Sequence, residues 1–205
     1  MFQRAWFAEK MVELNEIPNN VTWWRHWDLA ATKRKMTDTS GARTAGVLMG
    51  RSARGAYYVR HCIAKAIDGN GVRTLIKAQA GTDGIGVGIS LPQDPGQSGK
   101  VQKGDFASQL AGYNVRFLNE GALGNKEMRA EPFSAQCEAG NVYVVRGHWN
   151  DEFFDELCLF PGGKRKDIVD ACSGAFARLV PQPGSEELIV GPRVYQRERV
   201  VDGYD

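Results

Sequence analysis

The chain has 205 residues, of which 42% are hydrophobic and 24% are charged, and its formal net charge is +2. This composition is typical of a globular protein with one sizeable domain and excludes a disordered chain, while so small a charge does not by itself indicate a nucleic-acid-binding protein. No segment reaches the roughly 18 consecutive apolar residues of a membrane span, and the N-terminus lacks the features of a secretion signal. We therefore expect neither membrane association nor secretion.

The first half of the chain is predicted to consist mainly of strands. Residues 1–20 are interpreted as a short helix or lead-in that ends at the turn signal Pro18-Asn19-Asn20. Strands follow at 21–29, 44–51 and 55–66, and the last two are predicted to form a hairpin. A helix at 70–82 and a buried strand at 85–91 complete this half.

The second half of the chain alternates between predicted helices and strands. The helices are expected at 100–111, 126–139, 150–159 and 167–179, and the strands at 113–118 and 141–146. Glycines at positions 112, 140 and 147 stand where elements are expected to end. This order predicts an α/β fold, in which a mixed β-sheet is flanked by α-helices.

Four cysteines are spread along the chain without any C-x-x-C pair: Cys62, Cys137, Cys158 and Cys172. Each has apolar neighbours, so we predict free buried thiols rather than a zinc site or disulfides. Free thiols are typical of a reducing compartment such as the cytoplasm.

Acidic residues stand at the ends of predicted elements where their side chains can converge. Asp28 follows the first predicted strand, Asp94 follows the buried strand, and Asp167 and Asp170 open the last helix. Carboxylates from two strand ends and a covering helix form an oxygen-only site that suits Mg²⁺ or Mn²⁺, ions that commonly handle phosphate. Asp167 and Asp170 are three residues apart on one helical face, so either could reach the metal. The pattern predicts phosphodiester hydrolysis.

Two basic clusters flank the predicted metal ligands. Lys33, Arg34 and Lys35 follow the first aspartate, and Lys164, Arg165 and Lys166 precede the last acidic pair. Each cluster is compatible with a solvated loop or with contacts to DNA phosphates.

No ATP-binding loop is visible in the sequence. The segment Gly96-Gln97-Ser98-Gly99-Lys100 has only part of the phosphate-loop pattern, which would need glycine at position 94 and Ser or Thr at position 101. The chain has aspartate and valine there.

Four segments occur in an order that is specific well beyond any single motif. They are Arg25-His26-Trp27-Asp28-Leu29, Ser90-Leu91-Pro92-Gln93-Asp94, Lys126-Glu127-Met128-Arg129, and the stretch from Phe160-Pro161-Gly162-Gly163 to Asp167-Ile168-Val169-Asp170-Ala171. In this order they resemble the C-terminal nuclease domain of the large terminase subunits of tailed bacteriophages and prophages. The resemblance covers about residues 5–180.

The resemblance implies a ribonuclease H-like, retroviral integrase-like fold with three regions. Residues 1–20 would link a preceding ATPase domain, residues 21–180 would form the nuclease domain, and residues 181–205 would be a tail or hairpin. It also implies that the enzyme cuts concatemeric double-stranded DNA in the host bacterial cytoplasm. The expected partners are the ATPase domain, the small terminase subunit and the portal.

The resemblance further implies two-metal catalysis by Mg²⁺ or Mn²⁺. Asp28 would bridge both ions, Asp94 would bind one, and Asp167 or Asp170 would bind the other; Asp28, Asp94 and Asp167 are the preferred catalytic set. Lys126 and Arg129 match family positions in the first turn of a helix that could face the DNA backbone, and they are equally compatible with surface charges on an amphipathic helix.

One departure from the family pattern lies at the start of the last helix. The family often has a His-Asp-Asp-like cluster there, whereas this chain has Arg165-Lys166-Asp167, so a basic residue replaces one acid. This departure leaves open a non-catalytic DNA-clamping or motor-docking module. The fold alone also leaves open a different ribonuclease H-like nuclease such as a junction resolvase, although the terminase-like segments argue against it.

Overall fold

The computed structural model describes residues 1–30, 43–93, 97–119, 121 and 124–180, and within them a seven-stranded mixed sheet carries helices on both faces. The strands are β1 (Met11–Val12), β2 (Val21–Asp28), β3 (Thr44–Ser52), β4 (Tyr57–Lys65), β5 (Gly88–Pro92), β6 (Val115–Leu118) and β7 (Val142–Val145). The helices are α1 (Gly69–Asp83), α2 (Gln97–Gln109), α3 (Lys126–Glu138), α4 (Asn150–Leu159) and α5 (Asp167–Leu179). The predicted α/β class and the order of its long elements are confirmed.

The sheet has the order β1-β7-β4-β3-β2-β5-β6. Strands β2, β3 and β4 form an antiparallel meander that contains the predicted hairpin of β3 and β4, and β5 runs parallel to β2 with His26 opposite Ser90. Because parallel neighbours end at the same edge of a sheet, the carboxyl ends of β2 and β5, at Asp28 and Pro92, lie side by side. The fold therefore brings together the end of β2, which is the predicted ligand Asp28, and the end of β5, which precedes the predicted ligand Asp94 in the sequence.

Strand β5 begins at Gly88, three residues later than the predicted strand at 85–91, so that boundary was wrong. Gly84 has a φ of 88°, and the Val87 amide donates to the Gly84 carbonyl at 3.1 Å, which closes a turn over the residues predicted to start the strand. Ile85 is 75% exposed as a result.

The first residues of the chain contribute an edge strand that the sequence did not predict. Strand β1 pairs in parallel with β7, and the side chains of Phe2 and Phe7 lie in the hydrophobic core. Two residues are too few to show the alternation on which strand prediction depends.

Helix α5 packs on β2 and β3 and is buried along almost its whole length. A Cβ atom at Gly174 would lie 2.1 Å from the His26 ring, so only glycine allows the helix to approach the strand this closely. Ser90 fixes the same contact, because its Oγ lies 2.7 Å from His26 Nδ1 and accepts from Arg178 Nε at 3.0 Å. This buried polar network sets the height of α5 above the sheet.

The two faces of the sheet carry separate cores. Helices α3, α4 and α5 cover one face with an aromatic cluster that includes Phe133, Phe153 and Phe176. Helices α1 and α2 cover the other face around Trp27 and Ile76. None of the described helices combines the length and apolar character that a membrane crossing needs.

The cysteine prediction is confirmed. All four cysteines are free; Cys62, Cys137 and Cys172 are buried, and Cys158 is half-buried. Burial raises the pKa of these thiols, so they stay protonated and unreactive near neutral pH.

A buried ion pair beneath the sheet fixes the protonation state of His61. Arg25, which is 1% exposed, pairs with Asp83 and places its Nη2 atom 3.2 Å from His61 Nδ1. Because arginine can only donate, His61 Nδ1 accepts and the ring is neutral. Burial and then the Arg25 charge lower the pKa of His61 to about 4.

We expect this histidine to make the protein less stable as the pH falls from about 6.5 to 4. The unfolded chain takes up the proton near pH 6.5, whereas the folded protein resists until about pH 4, so protonation favours unfolding across that window. The free energy of unfolding, measured by denaturant titration at pH 7 and pH 4.5, should fall less for His61→Gln than for the wild type. Equal losses in the two proteins would contradict the assignment.

Candidate active site

Asp28 closes β2 at the carboxyl edge of the sheet. It pairs with Ala45 of β3, and it follows Trp27, which is 1% exposed and anchors the strand in the core of the opposite face. Because side chains alternate along a strand, Asp28 points to the same face as His26, the face that α5 covers. The carboxylate is half-buried.

Helix α5 runs over β2 in a matched register. The Arg178 guanidinium carbon lies 5.7 Å from the centre of the Trp24 ring, and Gly174 rests on His26. Each step of four helical residues advances about 6 Å, and each step of two strand residues advances about 6.6 Å. One further step of four residues along α5, from Gly174 to Asp170, matches one further step of two residues along β2, from His26 to Asp28. The register therefore predicts that Asp170 lies over Asp28.

Asp170 is 2% exposed and contacts two cations from the first turn of α3. Arg129 Nη2 donates to Oδ1 at 2.8 Å, and the Lys126 ammonium pairs with Oδ2. Asn125 begins α3 by accepting the Met128 amide at 2.9 Å, so the helix presents both basic side chains, three residues apart, on one face.

The charge on Lys126 links the two carboxylates. Burial lowers the pKa of Lys126, but the hydrogen bond and charge of Asp170 and then the charge of Asp28 outweigh burial, so the pKa is raised overall. Two carboxylates from different elements thus act on one cation. A buried carboxylate needs such compensation, and an arrangement of this kind can accept a metal cation in place of the ammonium.

Asp167 contacts a different cation. Its Oδ2 atom lies 3.1 Å from Arg43 Nε, and Arg43 also pairs with Glu152 and Glu156 of α4. Although Asp167 and Asp170 are only three residues apart, their carboxylates therefore have no cation partner in common among these contacts.

Glu156 caps helix α5 from outside the helix. It is 5% exposed, and its Oε1 atom accepts the Ile168 amide at 2.5 Å at the start of the helix. Burial raises the pKa of Glu156, while its bond to the Ile168 amide and the Arg43 charge act in the opposite direction. Neither Glu156 nor Arg43 was predicted, because their partners lie far away in sequence and no local motif marks them.

Some of the other predicted site residues lie outside the described residues, and the structure describes the rest. Asp94, Lys33, Arg34 and Lys35 lie outside the described residues. Lys164 is exposed, Arg165 lies 3.8 Å from Glu152, and the Lys166 ammonium lies 5.8 Å from the centre of the Phe160 ring.

Within residues 1–30, 43–93, 97–119, 121 and 124–180, no three His, Cys, Asp or Glu side chains form a group that could hold a metal ion. Asp170 pairs with Lys126, whose pKa the Asp28 charge also raises, and the second predicted strand-end ligand, Asp94, is not among the described residues.

The fold is a ribonuclease H-like α/β domain with Asp28 at the carboxyl end of its central strand β2. The family described as the Terminase RNaseH-like domain matches residues 25–179, from β2 to the end of α5. The chain belongs to this family, and the predicted resemblance and fold are confirmed.

Solved structures support the same fold. The chain is similar to the human cytomegalovirus terminase nuclease domain, solved after a manganese soak and with an inhibitor bound, at a TM-score of 0.60 and 9% identity over 87% of this chain and 94% of that one. It is also similar to the large terminase nuclease from the thermophilic phage G20c with bound zinc, at a TM-score of 0.50 and 15% identity over 77% of this chain and 81% of that one. No curated protein sequence matches the chain significantly.

Proposed function

We propose that the chain is a divalent-metal-dependent endonuclease domain of a bacteriophage or prophage terminase, which cuts concatemeric double-stranded DNA during genome packaging. The observation that carries this proposal is the buried carboxylate of Asp170, which pairs with Lys126 and Arg129 and belongs to a helix that covers β2, the strand that Asp28 ends, in a member of the Terminase RNaseH-like domain family.

Asp28, Asp94 and Asp170 are the proposed metal ligands, with Asp170 preferred over Asp167. The preference rests on the register of α5 over β2 and on the Arg43 contact, which engages the Asp167 carboxylate. The residues fit Mg²⁺ or Mn²⁺, because all three offer hard oxygen donors and the buried Asp170 requires a cation partner. The metals named for the two similar nucleases, manganese and zinc, support a divalent ion.

Two bound divalent ions would supply Lewis acidity, which lowers the pKa of the attacking water and stabilises charge on the leaving oxygen. The chain's own contribution is to position the phosphodiester. The proposed phosphate contacts are Lys33, Arg34, Lys35, Lys126, Arg129, Lys164, Arg165 and Lys166. Contacts of this kind orient DNA without reading its sequence.

The proposed partners follow from the family. They are double-stranded DNA, the terminase ATPase domain, the small terminase subunit and the portal, and the proposed location is the host bacterial cytoplasm. A non-catalytic clamping module and a junction resolvase are the two alternatives.

Nicking of supercoiled plasmid by the purified chain tests the proposal. We expect cleavage with Mn²⁺ or Mg²⁺ and none with EDTA, and comparable rates on linear duplexes with and without a four-way junction. A strong preference for the junction would indicate a resolvase. Binding to the plasmid without cleavage at any metal concentration would indicate a clamping module.

A further inference from the structure

We propose that Lys126 is an exchangeable internal cation, whose ammonium neutralises the buried Asp170 carboxylate in the metal-free protein and leaves it when a divalent cation binds. This inference rests on the proposed function, because it assumes that Asp170 is a metal ligand. It makes Lys126 a residue that sets the affinity of the site for metal.

The contacts of Asp170 show which of its two cations can leave. Its Oδ1 atom accepts from Arg129, whose side chain is only 11% exposed, and its Oδ2 atom pairs with Lys126, whose side chain is 52% exposed. Lys126 stands at the first position of α3, where a flexible four-carbon stem reaches in from the solvent. The Lys126 head group can therefore withdraw without the loss of core packing.

A resident cation is needed because Asp170 is buried. A carboxylate that is 2% exposed pays a large desolvation cost unless an opposite charge compensates it, and Lys126 and Arg129 provide that charge without a metal. The metal-free site is thus stabilised by the chain itself.

The same contact opposes metal binding. A divalent cation that binds Asp170 Oδ2 must replace the ammonium there, because two cations in contact with one oxygen repel each other. The free energy of metal binding is then the free energy of the metal–Asp170 contact less the free energy of the Lys126–Asp170 contact that is lost. Removal of the Lys126 charge should strengthen metal binding and weaken the metal-free protein.

Calorimetric titration with Mn²⁺, without DNA, tests the inference on the full chain. Lys126→Met keeps a similar length and removes the charge, and we expect it to bind Mn²⁺ at least about fivefold more tightly than the wild type, whereas Lys126→Arg should not bind more tightly. In the absence of metal, Lys126→Met should unfold a few degrees lower, and Mn²⁺ should raise its melting temperature more than that of the wild type. Lys77→Met, at an exposed lysine of α1, should change neither property.

Unchanged or weaker Mn²⁺ binding by Lys126→Met would overturn the inference. If Lys126→Met does not fold, Lys126→Gln takes the place of this variant in every measurement. The Asp170→Asn variant separates this failure from a failure of the proposed function. If Asp170→Asn loses Mn²⁺ binding while Lys126→Met binds as the wild type does, only the exchange role is wrong. If Asp170→Asn binds Mn²⁺ with wild-type affinity, Asp170 is not a ligand, and both the exchange role and the Asp170 assignment fail; the proposed nuclease function fails only if the wild type does not nick plasmid with any metal.

Discussion

Asp28→Asn is expected to reduce metal-dependent DNA cleavage by about a hundredfold or more while the protein keeps its fold. Lewis-acid stabilisation by bound metal contributes several kcal/mol to the rate, and each loss of about 1.4 kcal/mol slows the reaction about tenfold. Asparagine preserves the size of the side chain at the end of β2 but removes the charge that attracts the metal. Removal of one of two neighbouring negative charges also relieves repulsion, so the stability of the metal-free protein should hold or rise.

Plasmid nicking rates over a range of Mn²⁺ concentrations measure this effect, with thermal unfolding as the test of the fold. Asp151→Asn makes the same chemical change on α4, where the aspartate is 90% exposed and contacts Arg4 at 3.1 Å. This control should cleave at the wild-type rate. Wild-type nicking by a well-folded Asp28→Asn variant would refute the two-metal assignment.

The order of the long elements was readable from the sequence because local signals agree with the tertiary structure. Strand β2 contains Val21 and three tryptophans, residue types that are common in strands, and α5 carries a broad apolar surface that matches its burial. Glycines mark the turns after α2 and α3, where Gly112 and Gly140 have φ values of 94° and 73°. Such signals lie within a few residues of the boundary that they define.

The assignment of the acids could not be read in the same way. Asp167 and Asp170 lie three residues apart on one helical face, so the sequence places both equally well for metal binding. Asp167 was nevertheless the predicted catalytic residue. What separates them is the choice of partner: Arg43 is 124 residues from Asp167 and Lys126 is 44 residues from Asp170. Contacts over such separations depend on the packing of α3, α4 and α5, which no local pattern encodes.

The structure also changes the interpretation of Lys166, the basic residue that replaces an acid of the family pattern. The sequence suggested that this lysine adds positive charge next to a metal ligand, because it precedes Asp167. In the structure its ammonium lies over the Phe160 ring, and the cations that contact Asp170 are Lys126 and Arg129 of α3. Under the proposed exchange role, the lysine that opposes metal binding is Lys126, a neighbour of Asp170 in space rather than in sequence.

Asp170→Asn is expected to lose Mn²⁺ binding and to cleave DNA at least about a hundredfold more slowly, whereas Asp167→Asn should stay within about threefold of the wild-type rate. The register of α5 directs Asp170 toward Asp28, while the Asp167 carboxylate pairs with Arg43 at 3.1 Å. Asp167→Asn should cost about 1 kcal/mol of stability, because Arg43 keeps Glu152 and Glu156 as partners.

The comparison of these two variants needs a stability control, because Asp170→Asn leaves Lys126 and Arg129 without the carboxylate that they share. Both variants should therefore be assayed well below their melting temperatures, with Mn²⁺ binding measured by calorimetry on the same preparations. Loss of cleavage and of Mn²⁺ binding in Asp167→Asn, with both retained in Asp170→Asn, would make Asp167 the ligand and would contradict the register argument. If only Asp170→Asn loses Mn²⁺ binding, Asp170 is the third carboxylate ligand. This residue lies one helical turn from Gly174, and the contact of Gly174 with His26 sets the position of that turn over the end of β2.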